Sequence, residues 1–114
     1  MSEDILQIDI HPVGTATIVS PLGDIDMGNS MQLRTTLHNV LKEEPAKVVL
    51  DLQRVSYMDS SGLGTLIEAV QLTNQTTVSF LLCGINETVQ SIITLSKLDQ
   101  IFKIHDSKED ALAE

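Results

Sequence analysis

The chain has 114 residues, 16 acidic and 7 basic, and its net charge of −9 argues against nucleic-acid binding, which needs a basic surface to neutralise phosphates. The length and the 42% hydrophobic content suit one core, so we predict a single domain over residues 1–114. No apolar run approaches the ~18 residues of a membrane span, and Met1–Asp4 lacks the basic start of a signal peptide, so we expect a cytoplasmic protein that does not contact a membrane.

Two strands are predicted near the start of the chain. Ile5 to Ile10 alternates between polar and apolar residues with a mixed face, which is typical of an edge strand. Thr15 to Val19 is rich in β-branched residues, and Pro12-Val13-Gly14 predicts the turn that joins the two strands into an antiparallel hairpin. Pro21-Leu22-Gly23 then ends the second strand.

Alternating helices and strands are predicted beyond this hairpin. Apolar positions at helical spacing predict a helix from Ser30 to Lys42, and Lys47 to Leu52 predicts a strand buried on both faces, hence central in its sheet. The remaining predictions are a helix after the serine pair Ser60-Ser61, a strand from Thr77 to Cys83, a helix capped by Asn86, a strand from Ile101 to His105 and a terminal helix capped by Ser107. From Lys47 onward this order requires parallel strands, so the fold class is α/β: a mixed sheet of about four to five strands with helices packed on it.

The segment Tyr57–Gly64 sets up the predicted function. It places Asp59, Ser60 and Ser61 between the central strand and the start of a helix, where backbone N–H groups lack partners and the dipole is positive. Such a helix start tolerates phosphate and can attract it. Functional loops in parallel sheets gather at the carboxyl ends of the strands, and the Asp24–Asp26 loop can lie at the same edge. Our working hypothesis is a phosphorylation switch at Ser60 on a protein-binding module; the residues alone leave open the simpler alternative that the two serines only cap the helix.

Enzymatic readings of the same residues fit poorly. A nucleophile elbow needs Gly-x-Ser-x-Gly, and the first glycine is missing before either serine. Nothing links the histidines to the serines; they are His11, His38 and His105.

Ligand-binding readings are also weak. A magnesium site could use Asp24, Asp26, Asp51 and Asp59, as in a phospho-accepting receiver domain, but that domain expects its acidic pair after the first strand and a lysine after the last. Gly62 and Gly64 do not form a complete phosphate-binding loop, and their alternative role is close packing of helix on sheet. Cys83 lies in an apolar run, which indicates a buried structural thiol.

A family resemblance covers nearly the whole chain. The segment Met58–Gly64 resembles the serine loop of the STAS domain of bacterial anti-sigma-factor antagonists, in which the phosphorylated serine directly follows an aspartate and so corresponds to Ser60. Three further segments resemble other parts of that domain: Gly23-Asp24-Ile25-Asp26, Val48 to Leu52, and Leu95-Ser96-Lys97-Leu98 with Ile101-Phe102. Two departures are Met27-Gly28-Asn29, in place of more usual polar or aromatic residues, and Lys97, where glycine is common.

The resemblance implies a binding module with no catalytic group, metal or cofactor of its own. Its unphosphorylated form would bind an anti-sigma factor that is also a serine kinase and so release a sigma factor. Phosphorylation of Ser60 would end the binding, and a serine phosphatase would restore it. The alternative is a STAS scaffold or regulatory subunit of another system, such as a stress-signalling complex or a lipid transporter. The expected partner-binding residues are Asp24, Asp26, Met27, Asn29, Asp59, Ser60, Ser61, Gly62 and Leu63.

Overall fold

The computed structural model of the protein describes residues 5–114. The strands are β1 (Gln7–Val13), β2 (Ala16–Leu22), β3 (Lys47–Asp51), β4 (Ser79–Cys83) and β5 (Lys103–His105). The helices are α1 (Ser30–Lys42), α2 (Ser60–Thr73), α3 (Glu87–Leu95) and α4 (Lys108–Ala113). Residues 1–4, on which the signal-peptide argument rests, lie outside the described residues, and the single domain over 1–114 stays a prediction.

The strands form one mixed sheet in the order β1-β2-β3-β4-β5. β1 pairs antiparallel with β2, and the other neighbours pair in parallel. This confirms the α/β class, the edge position of β1 and the central position of β3. The parallel part begins one strand earlier than predicted, at β2, because α1 is a crossover between β2 and β3.

The boundaries of the hairpin differ from the prediction. β1 begins and ends later than predicted, and the turn is only Gly14 and Thr15, with Gly14 at a φ of 61° and Val13 paired with Ala16. β2 does not end before Pro21, which pairs with Ile8. The β2–β3 ladder stops at Val19, so the missing N–H of Pro21 removes no hydrogen bond from it.

Later elements mostly follow the sequence pattern. α1 has the predicted bounds, and Asn86 and Ser107 cap α3 and α4 through their side-chain oxygens, as expected. β4 and β5 each begin two residues later than predicted. The two residues predicted to begin β5 lie before the strand: Ile101 is accessible at the surface, and Phe102 reaches the core.

The two faces of the sheet are covered unequally. The main core lies between the sheet and α1, α2 and α3, with Leu50 and Leu82 from the strands facing Leu33, Leu66 and other helical side chains. A smaller cluster on the opposite face includes Val49, Leu81 and Cys83 and is covered by Ala111 of α4. Within residues 5–114, no helix is long and apolar enough to cross a membrane.

Candidate functional site

Two loops meet beyond the carboxyl ends of β2 and β3. Ile25 donates its backbone N–H to the carbonyl of Tyr57, and Asp59 donates its own to the carbonyl of Ile25, both at 3.0 Å. The side chains of Ile25 and Met58 anchor this junction, because both are fully buried. The Asp24–Asp26 loop therefore lies at the same edge as the serine loop, as the sequence suggested.

Asp59 is the N-cap of α2 and the link between the loops. Its Oδ1 accepts hydrogen bonds from the backbone N–H groups of Ser61 (2.9 Å) and Gly62 (3.3 Å) and from the Ser61 hydroxyl (2.6 Å). Its Oδ2 accepts from the backbone N–H of Met27 at 3.1 Å. The pKa of Asp59 is lowered, chiefly by the hydrogen bond from the Ser61 hydroxyl, so the side chain is held as a carboxylate.

Ser60 is the first residue of α2, and it is exposed. Its hydroxyl has no hydrogen-bond partner among residues 5–114, so the interpretation that the serines merely cap the helix is wrong. The cap is Asp59, and this carboxylate already occupies the N–H groups of Ser61 and Gly62 that were expected to attract phosphate. The structural fold makes no use of the Ser60 hydroxyl, which leaves it available for modification.

The loop before α1 is held by its own side chains. Asn29 is 93% buried by accessibility; its Oδ1 accepts from the Asp26 N–H and its Nδ2 donates to the Asp24 carbonyl, both at 2.9 Å. Asp26 accepts through Oδ1 from the Gly28 N–H, also at 2.9 Å. The buried side chain of Asn29 therefore holds the backbone of this loop in place through its hydrogen bonds to Asp24 and Asp26.

Accessibility separates the predicted partner-binding residues into two groups. Asp24, Met27 and Ser60 are exposed, whereas Asp26, Asp59 and Ser61 are half-buried. The others, Asn29, Gly62 and Leu63, are buried. These three residues pack the inside of the site, and the partner-binding role of the whole set stays a prediction.

Two exposed apolar residues at the site are not among the predicted partner-binding residues. Met31, in the first turn of α1, is 63% exposed, and Tyr57, just before the serine loop, is 45% exposed. With Met27, which is 82% exposed, they give this edge an accessible apolar surface. Met31 could have been recognised because it lies off the buried stripe of α1 formed by Leu33, Leu37 and Val40.

The two glycines of α2 have different roles. A Cβ atom on Gly62 would lie 2.7 Å from Met58 Cγ and 3.0 Å from Ile25 Cγ2, so Gly62 allows the helix to start against the junction of the loops. A Cβ on Gly64 would meet nothing within 4 Å. The close-packing interpretation is confirmed for Gly62 and is wrong for Gly64.

A charged cluster joins the two helices that flank the site. Arg34 of α1 donates through Nε (2.6 Å) and Nη2 (3.1 Å) to the carboxylate of Glu68 on α2, and His38 Nε2 lies 3.0 Å from Glu68 Oε1. The hydrogen bond from Arg34, followed by that from His38, lowers the pKa of Glu68 to about 2. Its carboxylate is therefore ionised across the physiological range.

The remaining residues of interest are the last residues of β3 and β4. Asp51 accepts from the N–H of Gln53 at 3.1 Å and from the Cys83 thiol at 3.8 Å, which explains a carboxylate within an apolar strand. Cys83 is buried, and that burial, with Asp51 next in effect, raises the pKa of its thiol to about 12. The thiol is therefore unreactive, and the prediction of a buried structural cysteine is confirmed.

Similarity to known proteins decides the family. Residues 7–111 match the model of the STAS domain. The chain belongs to the STAS domain family. It is 30% identical over 110 residues to an anti-sigma F factor antagonist of Paenibacillus polymyxa, an alignment that covers 96% of this chain and 94% of the relative.

Solved structures of similar proteins have the same fold. An anti-sigma factor antagonist from Mycobacterium paratuberculosis superposes with a TM-score of 0.89 and 25% identity, over 98% of this chain and 95% of that one. The Bacillus cell fate determinant SpoIIAA superposes in its phosphorylated form with a TM-score of 0.70, 17% identity and coverage of 95% and 96%. These similarities confirm the family and the fold that the serine-loop motif suggested.

Proposed function

We propose that this STAS domain is a cytoplasmic anti-sigma-factor antagonist and that phosphorylation of Ser60 switches it off. In the unphosphorylated state it binds an anti-sigma factor that is a serine kinase, and this binding frees a sigma factor. A serine phosphatase acting on phospho-Ser60 restores binding. Its relatives include proteins named anti-sigma F factor antagonist and anti-sigma-B factor antagonist, which supports the antagonist role. In this proposal the chain contributes a binding surface and no catalytic group.

The single observation that carries the proposal is the state of the Ser60 hydroxyl. It is exposed at the start of α2, and the fold makes no use of it, so a kinase can reach it without unfolding the domain. Met27, Met31 and Tyr57 present apolar surface at the same edge, which suits burial against another protein.

Charge explains how phosphate at Ser60 opposes docking. A phosphoserine adds about −1.5 to −2 charges at neutral pH. Asp59 next to it is already ionised, and its carboxylate occupies the first amides of the helix, so little remains at the helix start to neutralise the added charge. An interface packed over an uncharged serine would bury an uncompensated charge, at a cost of several kcal/mol.

The experiment compares Ser60→Ala and Ser60→Asp as purified baits in a lysate of the source organism. We expect Ser60→Ala to capture an ATP-binding serine kinase and Ser60→Asp not to capture it. Titration calorimetry should show that Ser60→Ala binds this kinase at least tenfold more tightly than Ser60→Asp does. Mass spectrometry of the native protein should place phosphate on Ser60 and not on Ser61, whose hydroxyl is engaged by Asp59.

The matched control is Ser91→Asp, which adds the same charge at an exposed position of α3. It should bind as the wild type does, because it lies outside the proposed surface. Equal affinity of Ser60→Ala and Ser60→Asp for the kinase would contradict the switch, and capture of transporter subunits without a kinase would favour the role of a regulatory subunit.

A further inference from the structure

Two of the accessible apolar side chains beside Ser60 are methionines. Met27 is 82% exposed and Met31 is 63% exposed, whereas Met58, in the junction of the loops, is fully buried. Methionine is usually a core residue, so two thioethers in solvent at one edge require a reason. Their sulfur atoms are open to small oxidants, and the sulfur of Met58 is protected.

The fold depends on the backbone of Met27 and not on its side chain. Its N–H donates to Asp59 Oδ2 at 3.1 Å, which fixes the residue beside the cap of α2, while the side chain projects into solvent. A chemical change at this sulfur therefore alters the surface next to Ser60 and leaves the internal hydrogen bonds in place.

Met31 lies next to Arg34, which can donate a hydrogen bond to an oxidised Met31 side chain. Arg34 uses Nε and Nη2 on Glu68, and its Nη1 lies 3.9 Å from Met31 Sδ. An oxygen added to that sulfur is a much stronger hydrogen-bond acceptor than the sulfur itself, so Arg34 can donate to it. A sulfoxide at Met31 is then held along α1 without disturbing the ion pair to Glu68.

The chemistry needs one oxidant, hydrogen peroxide. The thioether sulfur attacks one peroxide oxygen, the O–O bond breaks, and the products are methionine sulfoxide and water, so sulfur is oxidised by two electrons and peroxide is reduced by two. The product is polar and carries no net charge, and sulfoxide reductases reverse it. An interface that buries Met27 would then have to bury a polar S=O group without a prepared partner, which is unfavourable.

We propose that Met27 and Met31 form a reversible oxidation site that weakens docking at the Ser60 surface independently of phosphorylation. This inference rests on the proposed function, because it assigns a second control to the same surface. Two different modifications would then control the surface: a charged phosphate on Ser60 and an uncharged polar sulfoxide on Met27 and Met31.

The first test needs only the full-length protein. It is treated with hydrogen peroxide, the oxidant is removed by desalting, and peptides are quantified by mass spectrometry. Sulfoxide should form at Met27 and Met31 at least tenfold faster than at Met58, with the far-UV circular dichroism unchanged. Equal rates at all three sites, or loss of the folded signal, would overturn the inference.

The second test measures binding to the serine kinase retained by Ser60→Ala in the capture experiment above. The oxidised protein should bind at least tenfold more weakly, and treatment with methionine sulfoxide reductases should restore the affinity. The double variant Met27→Leu/Met31→Leu is the matched control: its own affinity before treatment is the reference, and peroxide should not lower that affinity, because neither position can form a sulfoxide.

The outcomes separate the two proposals. If Ser60→Asp abolishes binding but both sulfoxides leave it unchanged, the oxidation site is wrong and the phosphorylation switch stands. If no binding depends on Ser60, the proposed function fails, and the oxidation site fails with it. Loss of binding by the double leucine variant after peroxide would also overturn the inference, since the effect would then arise elsewhere in the protein.

Discussion

The carboxylate of Asp59 accepts hydrogen bonds from both sides of the site. Oδ1 caps α2 through Ser61 and Gly62, and Oδ2 holds the N–H of Met27 in the neighbouring loop. Asp59→Ala removes all of these acceptors, and we expect it to lower the free energy of unfolding by about 1–2 kcal/mol, the usual cost of losing an N-cap. Urea denaturation measures this.

The variant Asp59→Asn separates the two functions of this carboxylate. Its amide oxygen can still cap α2, but an NH₂ group that replaces Oδ2 cannot accept from Met27. We expect faster hydrogen exchange at the Met27 amide with most of the stability kept. Unchanged exchange at Met27 would show that the link between the loops does not depend on Asp59.

Acid stability should also depend on Asp59. Because its pKa is lower in the folded protein than in the unfolded chain, its contribution is fully present above the unfolded value of about 3.9 and is lost as the pH falls through the folded value. The free energy of unfolding of the wild type should therefore decrease between pH 5 and pH 2. In Asp59→Asn this decrease should be smaller, since the group no longer titrates.

Gly62 and Gly64 form a matched pair of substitution sites in one helix. Alanine at Gly62 places a methyl group 2.7 Å from Met58 Cγ, and we expect overpacking to cost about 1–3 kcal/mol of stability. Alanine at Gly64 meets open space and replaces a poor helix former, so it should stabilise by up to about 1 kcal/mol. Thermal denaturation of both variants checks this, and equal effects would contradict the packing argument.

The pair of helices that flank the site carries its own pH dependence. Since Arg34 and His38 lower the pKa of Glu68 to about 2 from its ordinary 4.5, the stabilisation from Glu68 is complete above pH 4.5 and is lost between pH 4.5 and pH 2. Glu68 is about one third exposed, so solvent screening limits the contribution to about 1 kcal/mol or less. In Glu68→Gln this share of the acid-dependent loss should disappear, as measured by urea denaturation at pH 7 and pH 3.

Elements with regular periodicity could be predicted from the sequence, and the environment of single side chains could not. α1 was correct because Leu33, Leu37 and Val40 mark one face over about two turns. The end of β2 was wrong, because Pro21 is tolerated where the ladder from β2 to β3 has already stopped at Val19, and a pattern along one strand does not contain that fact. For the same reason the motif correctly placed Ser60 at the start of a helix but could not show that Leu63 is buried and Met31 exposed.

The molecule as a whole is asymmetric about its sheet. Three helices cover the face toward the main core, whereas the smaller cluster on the other face depends on the six-residue α4. Lys47 Nζ holds the end of α4 through the carbonyls of Ala111 (3.0 Å), Leu112 (3.1 Å) and Glu114 (2.7 Å). A helix of six residues is stable only through such tertiary contacts. We therefore expect α4 to detach before the rest of the domain unfolds.

Cys83 reports on this detachment, because it lies beneath Ala111 with its thiol buried and protonated. Ala111→Asp places a charge against the apolar face and should release α4, so that a thiol reagent labels Cys83 at least tenfold faster under native conditions. Ala113→Asp adds the same charge at an exposed position of the same helix and should leave the labelling slow. If Ala111→Asp labels at the wild-type rate although circular dichroism shows that α4 is lost, then α4 does not protect Cys83. The covering of this face of the sheet by α4 would then not control access to the thiol.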